Sequence, residues 1–390
     1  MLSSLFILRA PRLFVLPFLS MAAMFLLNGC GMSTKVAVLP TALSSFAFVT
    51  NSGSGEVSVF AVSKSGSLSL APGSPFPAGA GAEFMAFDTV HKFLFVSNQA
   101  ANTVSAFSVN ASTGMLMSVA GTPFGAGARP TGIAVDPLGR FVFVANQASN
   151  SISVFLIAAN GSLTPVAGSP FAVASPYGLA INPAGTLLFA NNFPDSMASD
   201  LNTVSSFQIG PNGLLTPVSG SPFSTANSAG FASAIGLAAD PSGKFLFVGD
   251  HMAQSVVSFN IAAGGNLTPV MPLPAPAPSC SVSCHNNPLR LAVHPNDQFV
   301  YSTNVQAGTL SEFKMVNGSL SLIADVPTGQ HPFGVALDPT GTFLFVVNKV
   351  DNSVSAFSVD ASTGMVSPLS GSPFSGGLNA PTDILVIASQ

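Results

Sequence analysis

Seven times between residues 46 and 348 the chain writes a short aromatic run that stops at Asn or Asp. The runs are Phe46-Ala-Phe-Val-Thr-Asn51, Phe93-Leu-Phe-Val-Ser-Asn98, Phe141-Val-Phe-Val-Ala-Asn146, Leu187-Leu-Phe-Ala-Asn-Asn192, Phe245-Leu-Phe-Val-Gly-Asp250, Phe299-Val-Tyr-Ser-Thr-Asn304 and Phe343-Leu-Phe-Val-Val-Asn348. They start 47, 48, 46, 58, 54 and 44 residues apart. A unit of that length cannot bury its own apolar face and must stack on its neighbours, and about 40–50 residues is the period of a four-stranded propeller blade.

Each unit contains four strand signals. In the third, Thr131–Val135 precedes the turn Asp136-Pro-Leu-Gly139, the run Phe141–Asn146 follows, and then come Ser151–Leu156 and Ser162–Val166. Continuous apolar character marks a strand covered on both faces, and the alternation in Ser-Ile-Ser-Val-Phe marks a half-covered one. Asp or Asn, then Pro, then Gly two residues on, recurs at Asn182, Asp240 and Asp338 and signs a type I turn. Those acids are therefore expected to be structural, as are His91 and His294 in the equivalent turns. The first unit has no inner strand of its own, whereas Pro381–Ile387 is an inner strand with nothing after it. Pairing the two closes the ring and removes both edges. The expected fold is all-β: a seven-bladed β-propeller over 44–390 with four-stranded antiparallel blades.

Composition sharpens what such a ring does. Only 7% of the 390 residues are charged and 48% are hydrophobic, which excludes a disordered or coiled-coil chain. Eleven Lys and Arg stand against fifteen acids with no basic run, so no nucleic-acid partner is expected. Past residue 30 no apolar stretch approaches the ~20 residues of a membrane-spanning helix.

Residues 1–30 have Arg9 and Arg12, an apolar run from Leu13 to Leu27, and then Asn28-Gly29-Cys30. This is the pattern of a secretory signal, and Leu-Asn-Gly-Cys resembles the bacterial lipobox. The resemblance implies lipidation at Cys30, a tether over 31–43, and an exported protein held by its lipid anchor in the cell envelope, at the outer membrane or cell surface. The remaining chain then carries a formal charge of −6. Cys280 and Cys284 sit close together in a Pro-rich loop, which in an oxidising compartment favours a disulfide. A metal site recruiting His285 lacks a second ligand pair at suitable spacing. No metal or cofactor is expected.

The pattern Pro-x-Gly-Ile-Ala-Val-Asp-Pro-x-Gly-x-Phe-x-Phe-Val-x-Asn resembles the seven-bladed lactonase propellers, the 6-phosphogluconolactonase-like and YVTN-repeat proteins, across nearly all of 44–389. The resemblance implies hydrolysis of a lactone or sugar ester. Relatives of this kind tend to carry a His at the start of an inner strand and an acidic stretch after the next strand. Here Gln330-His331-Pro332 keeps the His, and Asp250 supplies an acid on a different blade.

Subtracting the repeat isolates candidate site residues. Just before the inner strands the chain reads Ala380, Gly81, Arg129, Ser175, Ser233, Asn287 and His331; three residues later it reads Asp383, Phe84, Gly132, Gly178, Gly236, Arg290 and Gly334. Arg290, His331 and Asp383 depart from the pattern on consecutive blades at one mouth. Either His331 or Asp383 would serve as general base and Arg290 as the clamp for an oxyanion or carboxylate. Asp250, His251, Glu83 and Arg129 flank them as ligand-binding candidates. Two other readings stand beside this one. In the first, Arg290 and Asp383 form a structural ion pair and His331 is a solvated rim residue. In the second, the ring is a non-catalytic propeller that presents its mouth and its loops 193–203 and 271–287 to a polymer or protein; a monomer is expected in every reading. The catalytic reading calls for a small lactone or carbohydrate partner.

Overall fold

In the computed structural model, residues 43–193, 203–225, 234–250, 254–271 and 287–389 are described. Cys30, His251, His285, Cys280 and Cys284 fall outside them, as does most of both long loops. Every regular element described is a β-strand, and no helix among the described residues is long and apolar enough to cross a membrane.

The strands form seven antiparallel sheets in a ring, each following a path from an inner strand to an outer one. The inner strands are Pro381–Ala388, Ala82–Asp88, Pro130–Val135, Pro176–Ile181, Ala234–Ala239, Pro288–Val293 and Pro332–Leu337. Blade 1 is built as expected from both termini: Ser45 pairs with Ala388, Phe48 with Leu385 and Thr50 with Asp383. Five blades add something to the four-strand pattern. The residues after cis Ser-Pro or Thr-Pro in the Gly-Ser/Thr-Pro-Phe motif return as a two-residue strand against the third strand.

The aromatic runs form the second strands because both of their faces are covered by neighbouring blades. Phe48, Phe95, Phe143, Phe189, Phe247, Tyr301 and Phe345 are the third residues of the seven runs, and each is fully buried. At about 1.5–3 kcal/mol per buried large apolar side chain, this ring of seven is a principal source of stability. One apolar cluster lies between blades 1 and 2, another between 3 and 4, another between 7 and 1, and so on around the ring.

The terminal Asn, present in six of the seven runs, locks a loop. Asn146 Nδ2 donates to Ser153 Oγ at 2.9 Å, and Asn98, Asn192, Asn304 and Asn348 repeat that contact with Ser105, Ser205, Ser311 and Ser355. Asn146 Oδ1 accepts from Gly127 N, and Asn348 Oδ1 from Gly329 N. At the opposite end, Asp136, Asp240 and Asp338 each accept the amide that starts the next strand, at Phe141, Phe245 and Phe343. These acids are structural, as expected. His91 lies 2.7 Å from Asp88 Oδ2 and His294 Nε2 lies 3.0 Å from Gly341 O, so both histidines are held in the turns.

Candidate functional site

Every inner strand is irregular at its first turn of ladder. Pairing with the second strand skips between Ala82 and Phe84, Pro130 and Ile133, Pro176 and Leu179, Pro288 and Leu291, and Pro332 and Val335. A bulge frees a residue from the ladder and re-aims side chains. Here the bulges fall on, or immediately before, the residues that break the repeat: on Arg290, and one residue before Phe84 and Asp383, at one end of the ring.

Glycine is usual at the third position for a steric reason. A Cβ on Gly132 would lie 2.5 Å from Tyr177 O, one on Gly236 2.6 Å from Leu289 O, and one on Gly334 2.8 Å from Asp383 Cα. The inner strands converge there, leaving only the axis for a side chain. Phe84, Arg290 and Asp383 occupy that axis. They line one cavity of about 170 Å³ together with Met85, Ile133, Leu179, Leu237, Leu291 and Val335.

Arg290 reaches across the ring to Phe84, with its guanidinium carbon 3.8 Å from the ring centroid. Its amide is held by Thr303 Oγ1 at 3.2 Å. Nε and Nη2 are buried and donate to no acceptor among the described residues. No ion pair within 4 Å joins Arg290 to Asp383 among those residues. The structural ion-pair alternative is therefore not the arrangement adopted. Asp383 Oδ2 accepts from Met85 N at 3.1 Å, and its own amide donates to Thr50 Oγ1 at 3.0 Å. Although part of its surface opens onto the axial cavity, protein surrounds it. Burial pushes its carboxyl up to about 6, against the opposing pull of Arg290 and of the Met85 and Ile384 amides.

Glu83 is buried beside this pair, one residue nearer the mouth. Burial raises its carboxyl, Lys349 and Arg290 pull it down, Asp383 adds to the rise, and Arg129 opposes it. Glu83, Asp383 and Arg290 therefore share one electrostatic field, with Lys349 and Arg129 contributing to it. Tyr177 joins them as a residue the sequence reading missed. Its ring meets Phe84 edge-on at 5.7 Å and Phe193 at 5.4 Å, and burial followed by the charge of Glu83 pushes its phenol up. A signal was present, since Tyr177 is one of two tyrosines in the chain and occupies the bulge position. Phe84, Tyr177, Ile235 and Leu289, with Phe193 and Phe333 against them, surround the charged groups with an apolar collar.

The other described candidates, His331, Arg129 and Asp250, do not line the cavity. His331 is exposed and has a left-handed backbone (φ 52°), as do Arg129 (55°) and Ser175 (39°). The carbonyls of all three accept a loop amide, from Lys349, Gln147 and Phe193. This is a repeated turn, and His331 lines a separate rim groove with Gln306, Gln330 and Asp351. Asp250 is fully buried at the end of its strand, where six other blades place Asn, and does not line the axial cavity. No group of three or more His, Cys, Asp or Glu among the described residues is placed to hold a metal.

The model of the family described as "Lactonase, 7-bladed beta-propeller" matches residues 37–201 and 240–377. A 6-phosphogluconolactonase of Pectobacterium atrosepticum is 25% identical over 194 residues, 48% of this chain and 54% of that protein. The chain spans about half, at most, of the length of the curated relatives it matches. The solved periplasmic gluconolactonase of Pseudomonas aeruginosa superposes with a TM-score of 0.73 at 19% identity, covering 90% of this chain and 100% of that one. A Lactobacillus plantarum protein superposes at 0.72 and 18% identity, covering 88% and 99%. At these identities the structures attest to the fold alone.

Proposed function

We propose, from the premise that the chain belongs to the lactonase family of seven-bladed β-propellers, that it hydrolyses a small lactone or sugar ester in the axial cavity. One observation carries the reading: a titratable carboxyl and a guanidinium with free donors line the same buried space. Above a pH of about 6, Asp383 is ionised and accepts a proton from water as the water oxygen bonds to the carbonyl carbon. Arg290 donates to the oxygen that becomes negative, and the apolar collar strengthens that contact by excluding solvent. The ring C–O bond then breaks, and the proton passes from Asp383 to the departing alkoxide, giving a hydroxy acid. Between the two candidate bases, position favours Asp383, because His331 opens on the rim groove rather than the cavity.

The test is turnover of sugar and aliphatic lactones by protein lacking residues 1–30. Asp383→Asn should lower kcat by about 10²–10⁴, as expected for loss of a general base, whereas His331→Ala should retain most activity. The rate should climb as pH rises through about 6, where the base form of Asp383 becomes populated. An Asp383→Asn enzyme of full activity would overturn the assignment. Absence of turnover with every lactone would leave the non-catalytic binding propeller as the better reading.

The same proposal places the protein in the cell envelope, on the strength of Leu27-Asn28-Gly29-Cys30 after an apolar run. Two or more lipid chains hold a protein stably at a membrane. Incorporation of labelled fatty acid into the full-length chain should therefore be lost in Cys30→Ser.

A further inference from the structure

The unpaired edge of Arg290 is informative in its own right. Leaving a buried donor unsatisfied is costly, and more so for a charged group. Nε and Nη2 are the two donors on one edge of the guanidinium, and they present parallel N–H groups in a fork that matches two oxygens of one planar anion. Stacking on Phe84 fixes the plane of that fork. No described residue supplies the matching acceptor, although Asp383 and Glu83 are close enough to interact electrostatically with Arg290.

We infer that the axial cavity is a binding site for a small hydroxy-carboxylate, held by its two carboxylate oxygens on the Nε and Nη2 edge of Arg290. The inference rests on the proposed hydrolysis for its substrate class, since the acid is what lactone opening produces. Binding itself can be measured without turnover.

Size and charge select the class. A cavity of about 150 Å³ admits one benzene-sized ring, so 170 Å³ holds one five- or six-membered ring or the chain opened from it. A phosphate monoester adds a charge of about −1.5 to −2, which would meet Asp383 and Glu83 in a space without room for it. A carboxylate brings one charge, opposite Arg290. The acid formed by hydrolysis therefore stays on the fork and competes with incoming lactone.

Calorimetric titration of the propeller lacking residues 1–30 tests this, with 4-hydroxybutyrate, D-gluconate, γ-butyrolactone and inorganic phosphate as probes. The two carboxylates should bind and should inhibit any lactone turnover competitively, while phosphate should bind at least tenfold more weakly. Arg290→Gln should weaken carboxylate binding about 10–100-fold, the range expected for loss of a charged bidentate contact. Arg290→Lys keeps the charge but not the fork, and should also lose most of the affinity while melting like the parent. The charged groups facing the bound anion are Arg290 and Asp383, with Glu83, Lys349 and Arg129 acting through the shared electrostatic field. Affinity should therefore rise several-fold between pH 7.5 and 5.5 as Asp383 gains a proton, and Asp383→Asn should bind tightly at both. Failure of both carboxylates to bind the folded parent, or unchanged affinity in Arg290→Lys and Arg290→Gln, would overturn the inference. Acid binding without lactone turnover would sink the hydrolytic reading and leave this one standing. Turnover without acid binding would do the reverse.

Discussion

Gly236 shows how single positions shape the mouth. Its missing side chain admits the carbonyl of Leu289, which comes within 2.6 Å of where a Cβ would stand. Leu289 precedes Arg290, so this contact also sets where the guanidinium begins. Gly236→Ala should destabilise by about 1–3 kcal/mol through overpacking against backbone, read from the urea midpoint. It should also weaken any ligand that Arg290 holds. The same crowding explains why Phe84, Arg290 and Asp383 turn to the axis: no room exists between the strands. That Asp383 and Arg290 break the repeat was visible in the chain. That they share a cavity while His331 is left on the rim was not. Position within a repeat specifies a level along the strand, whereas the bulge and the left-handed turn decide which way the side chain leaves it.

In the Gly-Ser/Thr-Pro-Phe segments the Phe side chains are only half-buried, and the hydroxyls carry the more specific task. Ser74, Thr122, Ser169, Ser221 and Ser372 each accept the amide of a third-strand residue, such as Val154 N to Ser169 Oγ at 2.9 Å. The outer strand is only three residues long, so the hydroxyl continues the ladder where no carbonyl remains. Ser169→Ala should cost about 1–2 kcal/mol, because it strands the Val154 amide. A Ser169→Thr variant should restore the loss, with chemical denaturation distinguishing the two. The contact joins residues 15 apart that only the folded blade brings together.

At the scale of the molecule, the ring is held shut by one strand pair. Pro381–Ala388 covers Leu43–Asn51, whose Phe46 and Phe48 are wholly buried. Removing residues 381–390 should expose that edge and its aromatic face, so the truncated chain should elute as aggregate rather than monomer in size-exclusion chromatography. The truncation also takes Asp383 away with the strand, because the same eight residues seal the ring and supply the carboxyl at its axis.

The chain by itself determined the number of blades, their strand path, the closing strand and the structural Asp-Pro turns. Each of these depends on local periodicity and turn chemistry that repeat at nearly constant spacing, and each repetition is an independent reading of the same rule. Tertiary structure alone decided which scarce charges meet. Arg290 touches Phe84 from four blades on, and Tyr177 enters the site from a blade that shows no charged departure. Contacts around the axis join residues some 90 to 300 positions apart, such as Phe84 with Tyr177 and Met85 with Asp383. No local rule encodes such distances, because convergence of the seven inner strands and the direction of each bulge exist only in the closed ring.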